Sequence, residues 1–204
     1  MILDYRKKLA ALYAARREPA FIDVPPLQYL MVDGHGDPNE SGDYAAAVAA
    51  LFSLSYTIKF TLKREKAIDF KVMPLEGQWW CEDMRRFSVD RKQDWSWTMM
   101  ILQPAEVGGE LVERCRGELA RKKELPALAK VRFETFHEGR CAQILHVGPF
   151  AEEGPTVERL HAFIESAGGE LAGKHHEIYL SDIRRAAPEK WRTIIRQPFI
   201  GSGS

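Results

Sequence analysis

The predicted elements of this chain occur twice in the same order, and this repetition constrains the fold more than any single motif. In the first half, a strand in QYLMVDG leads through a Gly/Pro-rich loop to a helix in DYAAAVAALF, followed by strands in FKVMPLEG and DWSWTMMIL. The second half repeats this order, with a strand in AQILHVG, a Gly/Pro loop, a helix in TVERLHAFI and a strand in HHEIYLSD. Gly and Pro punctuate the loops, and hydrophobic periodicity separates strands from helices. The sequence therefore predicts an α+β fold with a duplicated strand-helix-strand-strand (βαββ) unit.

We expect one domain over residues 1–200, with pseudo-repeats at about residues 20–103 and 130–183 and a short amphipathic helix at the N-terminus. Residues 201–204 have the composition of a linker and are excluded from the fold. The segment MRRFSVDRKQ is expected to be a polar connection. A duplicated unit leaves a groove between its halves, and grooves of this kind are natural ligand sites. The predicted functional site is therefore a central groove.

Two local patterns predict details of the strands. The apolar run from Val24 to Asp33 indicates one strand with a bulge or edge at Pro25 and Pro26. Near the middle of the chain, VRFETF and RCAQILHVGPF flank HEGR, which is typical of a hairpin turn.

Composition favours a cytoplasmic protein that does not bind nucleic acid. The 204 residues include 29 Lys plus Arg and 29 Asp plus Glu, so the net charge is zero and no basic footprint is expected. We find no apolar run approaching the ~20 residues of a membrane helix, and the N-terminus lacks the layout of a signal peptide. The three cysteines have no CxxC spacing, which favours a reducing compartment.

Glu177 is the strongest candidate for chemistry. In HHEIYLSD, strand alternation places His175, Glu177 and Tyr179 on one face. A desolvated carboxylate in a semi-apolar groove can accept or donate a proton near neutral pH, although a surface strand with a polar face explains the same pattern. Glu76, in PLEG, is either a loop glutamate or a second carboxylate that would divide acid and base roles with Glu177.

Tryptophans are concentrated in one region, where four of the chain's five lie between Trp79 and Trp97. Together with Met99 they form either a packed core or the wall of a pocket for a planar ligand. Trp79 and Trp80 are adjacent, so on one strand they point to opposite faces and at most one of them can belong to a single core.

The motifs of several enzyme classes are absent from the sequence. His175 and Glu177 could supply two metal ligands, but there is no HExxH or CxxC, so no metal is expected. There is also no P-loop, no GxGxxG after a strand and no GxSxG in the folded part, and a serine or cysteine nucleophile has no support.

Several separated motifs, in the same order, resemble those of the GyrI-like proteins, whose domain also serves as the effector-binding part of multidrug-responsive bacterial transcription regulators. The motifs are IDVPPLQYLMVDGHGDPN, PLEGQWW, WSWTMMILQP, HVGPF before a helix, and HHEIYLSDIRR followed by RTIIRQP. They span about residues 4–199, and the set is similar to that of a stand-alone subgroup. Ile183 follows Ser181-Asp182 where the family pattern has proline, which affects the strand exit rather than Glu177.

The resemblance implies a duplicated βαββ fold of the SHS2 type with a central groove for bulky, flat, hydrophobic and often cationic compounds. It places Glu177 on the groove floor with the acid/base role and Tyr179 as its neighbour. Some stand-alone members are hydrolases of cyclopropane-bearing compounds, which implies ring opening by water without a cofactor. The ligand-binding candidates are Trp79, Trp80, Trp97, Met99, Glu76 and His175, with Tyr56 and Phe150 as weaker lining residues.

Three functions follow as hypotheses. The first is a hydrolase of planar, electrophilic xenobiotics, and the second is a non-catalytic protein that sequesters or senses drugs. The third, a protein-interaction module like family members that bind a topoisomerase, ranks last because the chain has no acidic block. A DNA-binding regulator is disfavoured because only one short helix precedes the first strand. The expected partner is a planar hydrophobic small molecule, with no nucleic acid and no membrane, and the oligomeric state stays open.

Overall fold

The computed structural model describes residues 2–84 and 89–201 and has an α+β architecture, which confirms the predicted fold class. The chain divides into two compact units, the first formed by Met1–Lys8 and Leu27–Phe136 and the second by Leu9–Pro26 and His137–Ser204. Part of the predicted polar connection, residues 85–88, and residues 202–204 of the predicted tail lie outside the described residues. The prediction of a single domain with a central groove stays a prediction.

The first unit contains a four-stranded antiparallel sheet in the order β5-β6-β3-β7. Its elements are β1 (Ile2–Leu3), α1 (Tyr5–Lys8), β3 (Leu27–His35), α3 (Gly42–Lys66), β4 (Asp69–Phe70), β5 (Leu75–Trp80), β6 (Ser96–Leu102), α4 (Gly109–Lys122) and β7 (Arg132–Phe136). The short strands β1 and β4 pair in parallel. The long helix α3 contacts β3 and β6 on one side and α4 on another.

The second unit contains the antiparallel order β10-β11-β8-β2, with β9 pairing the far end of β11. Its elements are α2 (Ala10–Tyr13), β2 (Ala20–Val24), β8 (Gly139–Val147), α5 (Gly154–Ser166), β9 (Gly169–Leu171), β10 (His175–Tyr179) and β11 (Arg192–Gly201). Helix α5 contacts β8, β9 and β11. The core between helix and sheet is apolar and consists of Ala142, Ile144, Leu160, Ile164, Ile195 and Phe199.

Both units share the predicted strand-helix-strand-strand order. In each, the strand before the helix pairs with the last strand, and the last strand pairs with the strand after the helix: β3-β6-β5 in the first unit and β8-β11-β10 in the second. The remaining edge strands come from unexpected places in the chain. Strand β2 pairs with β8, and strand β7 pairs with β3, although each directly precedes a strand of the other unit.

The observed strands and helices correct three predictions. The expected hairpin at HEGR was wrong, because β11 and β2 already occupy the two edges of β8, and β7 pairs with β3. The expected single strand from Val24 to Asp33 is divided at Pro25 and Pro26, which lack the N–H that a sheet ladder needs. The predicted N-terminal helix is also divided into α1 and α2, with Leu12 and Tyr13 buried.

Helix α3 forms because its apolar residues recur at helical spacing, and the face that contains Ala47, Leu51, Leu54, Ile58 and Leu62 is buried. It ends at Ala67, which adopts a left-handed conformation with φ of 52°. Against expectation, this 25-residue helix is long and apolar enough to cross a membrane by length and composition, as the only such helix in the described part of the chain. A buried core helix passes the same test, and 44% of its apolar window is buried. The length and composition of α3 are therefore weak evidence for a membrane span.

A close approach between Gly34 and Trp97 shapes the sheet of the first unit. The two residues are directly opposite on β3 and β6, and Trp97 is fully buried. A Cβ atom on Gly34 would lie 2.1 Å from the indole ring, so only glycine leaves room for the ring across the backbone.

We therefore expect Gly34→Ala to reduce the free energy of unfolding by about 1–3 kcal/mol, the usual cost of overpacking a core. Gly117→Ala is the matched control, because a Cβ there meets only an arginine tip at 3.8 Å. Since Gly117 lies inside α4, alanine should stabilise by about 0.5–1 kcal/mol. Chemical denaturation of both variants measures the difference, and equal stability would contradict the steric role of Gly34.

A buried ionic network anchors the segment before β2 to the second unit. The Arg196 guanidinium donates to Glu138 Oε2 at 3.2 Å, to Gln143 Oε1 and to the Leu12 carbonyl at 2.8 Å. His176 Nδ1 lies 2.8 Å from Glu138 Oε1, and the side chains of Glu138, His176 and Arg196 are at most 2% exposed. Burial alone would raise the pKa of Glu138, but His176 and Arg196 outweigh it and lower the pKa from 4.5 to about 2.

Glu138→Gln should cost about 3–5 kcal/mol at neutral pH, because it leaves the Arg196 charge buried without its counter-charge. Since the folded-state pKa is depressed, wild type has this stabilisation above pH 4.5 and loses it as pH falls towards 2. Denaturation curves of the two proteins should therefore converge in acid. Glu134→Gln, which removes an exposed partner of Arg132, should cost only about 0–1 kcal/mol at either pH.

Candidate functional site

Strand β10 presents the predicted His175-Glu177-Tyr179 face, and the three side chains are joined by hydrogen bonds. The Tyr179 hydroxyl donates to Glu177 Oε2 at 2.8 Å, and His175 Nε2 lies 3.0 Å from Glu177 Oε1. The Glu177 side chain is 15% exposed and the His175 side chain 8%. A carboxylate held on both oxygens has a defined orientation, and it still has lone pairs for a further donor.

Pairing with β11 sets the surroundings of these residues. Glu177 lies opposite Ile195, and Tyr179 lies opposite Thr193. Ile195 and Ile144, which are opposite each other on β11 and β8, are fully buried in the apolar core. The Glu177 side chain therefore lies on the sheet face that carries apolar core residues on β8 and β11 and polar residues along β10.

Two aromatic rings, Phe150 and Trp191, adjoin Tyr179 in succession. The Phe150 ring lies edge-on to Tyr179 with centroids 5.6 Å apart, and Trp191 lies 5.0 Å from Phe150. Phe150 is 37% exposed, and the Trp191 indole N–H donates to the Ala186 carbonyl. The predicted lining residue Phe150 is thus beside the predicted catalytic pair. Sequence reasoning missed Trp191, the one tryptophan remote from the PLEGQWW and WSWTMM motifs.

The loop between β8 and α5 is held against His146. His146 Nδ1 is 3.0 Å from Thr156 Oγ1, and its Nε2 is 3.3 Å from the Pro149 carbonyl. Gly148 has φ of 144°, a conformation that L side chains rarely adopt. These contacts position the loop residues Phe150 and Glu153.

Glu153 is a second buried acidic group, and the charge of Glu177 acts on it. It is 7% exposed, and its backbone carbonyl accepts the N–H groups of Thr156 and Val157 at the start of α5. Burial first and then the Glu177 charge raise the pKa of Glu153 from 4.5 to about 9, and the Thr193 hydroxyl acts in the opposite direction. The N-terminus of α5 favours the ionised form by only about 0.3–2 kcal/mol, so burial and the Glu177 charge dominate the pKa of Glu153.

No sequence signal separated Glu153 from an ordinary residue at a helix start. In AEEGPTVERL, two glutamates precede the helix, and acidic residues are common in that place. The same helix brings His161 towards His175. Burial first, and then the His175 charge, lower the pKa of His161, while Gln197 raises it.

The candidates in the first unit form an aromatic cluster. Tyr44 stacks on Trp79 with centroids 6.1 Å apart and meets Trp97 edge-on at 5.5 Å, and Trp95 meets Trp79 at 5.6 Å. Trp79, Trp97 and Met99 are buried, whereas Trp80 is half-buried, as expected for alternating strand faces.

Two further candidates of the first unit differ in exposure. Glu76 is fully buried on β5 opposite Met100. Tyr56 is 46% exposed on α3 and stacks on Phe60 at 6.2 Å. Ligand contact by any candidate of this unit stays a prediction. Among the residues that the structure describes, no group of three or more His, Cys, Asp and Glu could hold a metal ion.

The family model of the GyrI-like small molecule binding domain matches residues 17–199. This chain belongs to the GyrI-like family. Among solved structures it is similar to an uncharacterized conserved protein from Listeria innocua, with 40% identity, a TM-score of 0.91 and coverage of 97% of this chain and 100% of the other. It is also similar to a hydrolase from Listeria innocua, with 38% identity, a TM-score of 0.88 and coverage of 98% and 100%.

A more distant neighbour confirms the fold alone. The EcmrR C-terminal domain shares 12% identity with this chain, with a TM-score of 0.56 and coverage of 90% of this chain and 97% of the other. A search of curated proteins gives no match. The family membership establishes a small-molecule binding domain.

Proposed function

We propose that this GyrI-like protein binds planar hydrophobic compounds and hydrolyses electrophilic, cyclopropane-bearing ones by water attack assisted by Glu177. The observation that carries the proposal is the Glu177 carboxyl group, oriented by His175 and Tyr179 beside the exposed Phe150 ring. The similarity at 38% identity to a protein called a hydrolase supports turnover as well as binding.

The chemistry needs only a positioned water and a base. Glu177 accepts a proton from water as the water oxygen attacks a methylene carbon of a cyclopropane conjugated to a dienone. The strained carbon–carbon bond breaks, and its electron pair moves into the conjugated system to make a phenolate, which then takes up a proton. The product is the substrate plus one water, so no redox partner or cofactor is required.

Aromatic surfaces supply the orientation that this reaction needs. A planar ligand against Phe150 and Tyr179 would lie within reach of Glu177, because Tyr179 contacts both the ring and the carboxylate. Holding a water and an electrophile in a reactive geometry can lower the activation barrier by several kcal/mol. The tryptophans of the first unit are proposed as further stacking surfaces.

A non-catalytic drug-binding protein is the second candidate. The observation in its favour is that exposed aromatic rings adjoin an oriented carboxylate, an arrangement that also attracts a flat cation. In that role Glu177 supplies a counter-charge and no proton transfer occurs. Cytoplasmic location and action on xenobiotics belong to both proposals.

A mass-spectrometric assay with protein at about one-hundredth of the substrate concentration tests the first proposal. We expect a cyclopropane-bearing duocarmycin-type compound to gain one water, and Glu177→Gln to lower turnover by about 10²–10⁴-fold, the usual contribution of a general base. The matched control is Glu170→Gln, which removes an exposed glutamate of β9 in the same unit. Unchanged turnover in Glu177→Gln would contradict the assignment.

The same variant separates the two candidates. For a binding protein, no conversion occurs, and tryptophan fluorescence quenching saturates at one ligand per site. Glu177→Gln should then weaken a cationic ligand more than a neutral ligand of the same shape. Equal loss for both ligands would count against the counter-charge role.

A further inference from the structure

We propose that Glu153 is the second functional carboxyl group of the site and that it shares one proton with Glu177, so that the pair carries one negative charge rather than two. Glu153 acts as a positioning residue, because it is buried and acts through Glu177. Its effect on turnover rests on the proposed function. Its protonation does not, and can be tested without any substrate.

Thr156, near the start of α5, contacts His146 of β8, which lies opposite Thr193 of β11, and Thr193 lies opposite Tyr179 of β10. Glu153 therefore lies near the sheet face that carries Glu177. Among the described residues, the Glu177 charge and the Thr193 hydroxyl act on it, and no positive charge does. Glu153 Oε1 and Thr193 Oγ1 are both buried without a hydrogen-bond partner among the described residues, so their contact falls short of regular hydrogen-bond geometry. A buried carboxylate with an unsatisfied oxygen is costly, whereas a protonated carboxyl group needs less compensation.

The other titratable groups nearby do not supply a positive charge to Glu153. His146, on β8, is engaged by Thr156 and the Pro149 carbonyl. His175 and Tyr179, on β10, are engaged by Glu177, and Glu152 is exposed on the same loop. His161, on α5, has a lowered pKa, because burial disfavours its charged form.

Glu138 shows what a counter-charge would do in the same unit. Both glutamates are buried, yet the pKa of Glu138 is about 2 beside Arg196 and His176, whereas that of Glu153 is about 9 beside another carboxylate. The contrast follows from the neighbours and not from burial, which raises both values.

The proton resides on Glu153 because Glu177 has the better hydrogen bonds. Two donors, Tyr179 and His175, stabilise a negative charge on Glu177. One hydroxyl, that of Thr193, is available to Glu153. In the proposed pair the hydrogen bonds therefore place the charge on Glu177 and the proton on Glu153, which limits the buried negative charge to one.

This arrangement suits a ring opening that creates an oxyanion. A second carboxylate near the reacting centre would repel the charge that develops on the substrate. Turnover should therefore fall as pH rises through about 9, and Glu153→Gln, which stays neutral, should retain turnover there.

The first experiment is a carboxyl-detected ¹³C NMR titration of protein labelled at glutamate Cδ. We expect one glutamate resonance to titrate near pH 9, to vanish in Glu153→Gln and to persist in Glu158→Gln, an exposed control on the same helix. In Glu177→Gln its midpoint should move to lower pH, because the neighbouring charge is gone. A protein whose glutamates are all ionised at pH 7 would overturn the proposal, as would a midpoint that Glu177→Gln leaves in place.

Thermal stability gives a second readout. Because the folded-state pKa of Glu153 is raised, wild type loses stability as pH rises from 4.5 towards 9. Glu153→Gln lacks this titrating group, so its melting temperature should rise relative to that of wild type as pH increases across this range. A constant difference in melting temperature would contradict the shared proton. If Glu153→Gln fails to fold, the NMR titrations of wild type and Glu177→Gln still test the shared proton.

Ligand binding completes the test. Tetraphenylphosphonium, which carries a fixed charge, should bind more tightly as pH rises from 7 to 10, whereas neutral triphenylphosphine oxide should not. Glu153→Gln should remove the pH dependence for the cation. If the cation shows no pH dependence, the pair does not act on ligands. If no ring opening occurs while the NMR result holds, the proposed reaction fails and the shared proton stands.

Discussion

The pairing of β10 with β11 is the interaction on which the candidate site depends. It sets Glu177 opposite Ile195 and Tyr179 opposite Thr193, so that every second residue of β10 lies on the same face as the apolar core of the second unit. A shift of one residue would turn the carboxylate to the opposite face and bring His176 and Ile178 in its place. The buried Arg196, next in the register opposite His176, resists such a shift because its guanidinium is bound to Glu138 and Leu12.

Three glutamates of this unit show how neighbours decide the behaviour of one residue type. Glu138 is bound by Arg196 and His176, Glu177 is oriented by a tyrosine and a histidine, and Glu153 is buried within reach of the Glu177 charge. The first stabilises the fold, and the other two are the proposed functional pair. Buried charge is tolerated where it is paired, and a carboxyl group without a partner keeps its proton instead.

The family relationship and the site geometry support different parts of the functional conclusion. Membership of the GyrI-like family establishes a small-molecule binding domain. The proposed proton transfer rests on the surroundings of Glu177, and these consist of hydrogen bonds and aromatic contacts that a binding protein could also use for a cation. Both the hydrolase and the binding protein require this carboxylate, so its removal alone does not separate them. Turnover at low protein concentration does, because only a hydrolase converts many substrate molecules per protein.

The sequence by itself determined the α+β class, the repeated βαββ order and the grouping of His175, Glu177 and Tyr179, because strand periodicity and glycine and proline punctuation are local properties. Only the tertiary structure decided that β2 and β7 pair outside their neighbouring strands, because edge pairing depends on which strands have a vacant edge. It also decided that Glu153 is buried within reach of the Glu177 charge. These residues are 24 positions apart, on a loop and a strand, and no pattern in a single sequence reports how α5 packs onto β8, β9 and β11.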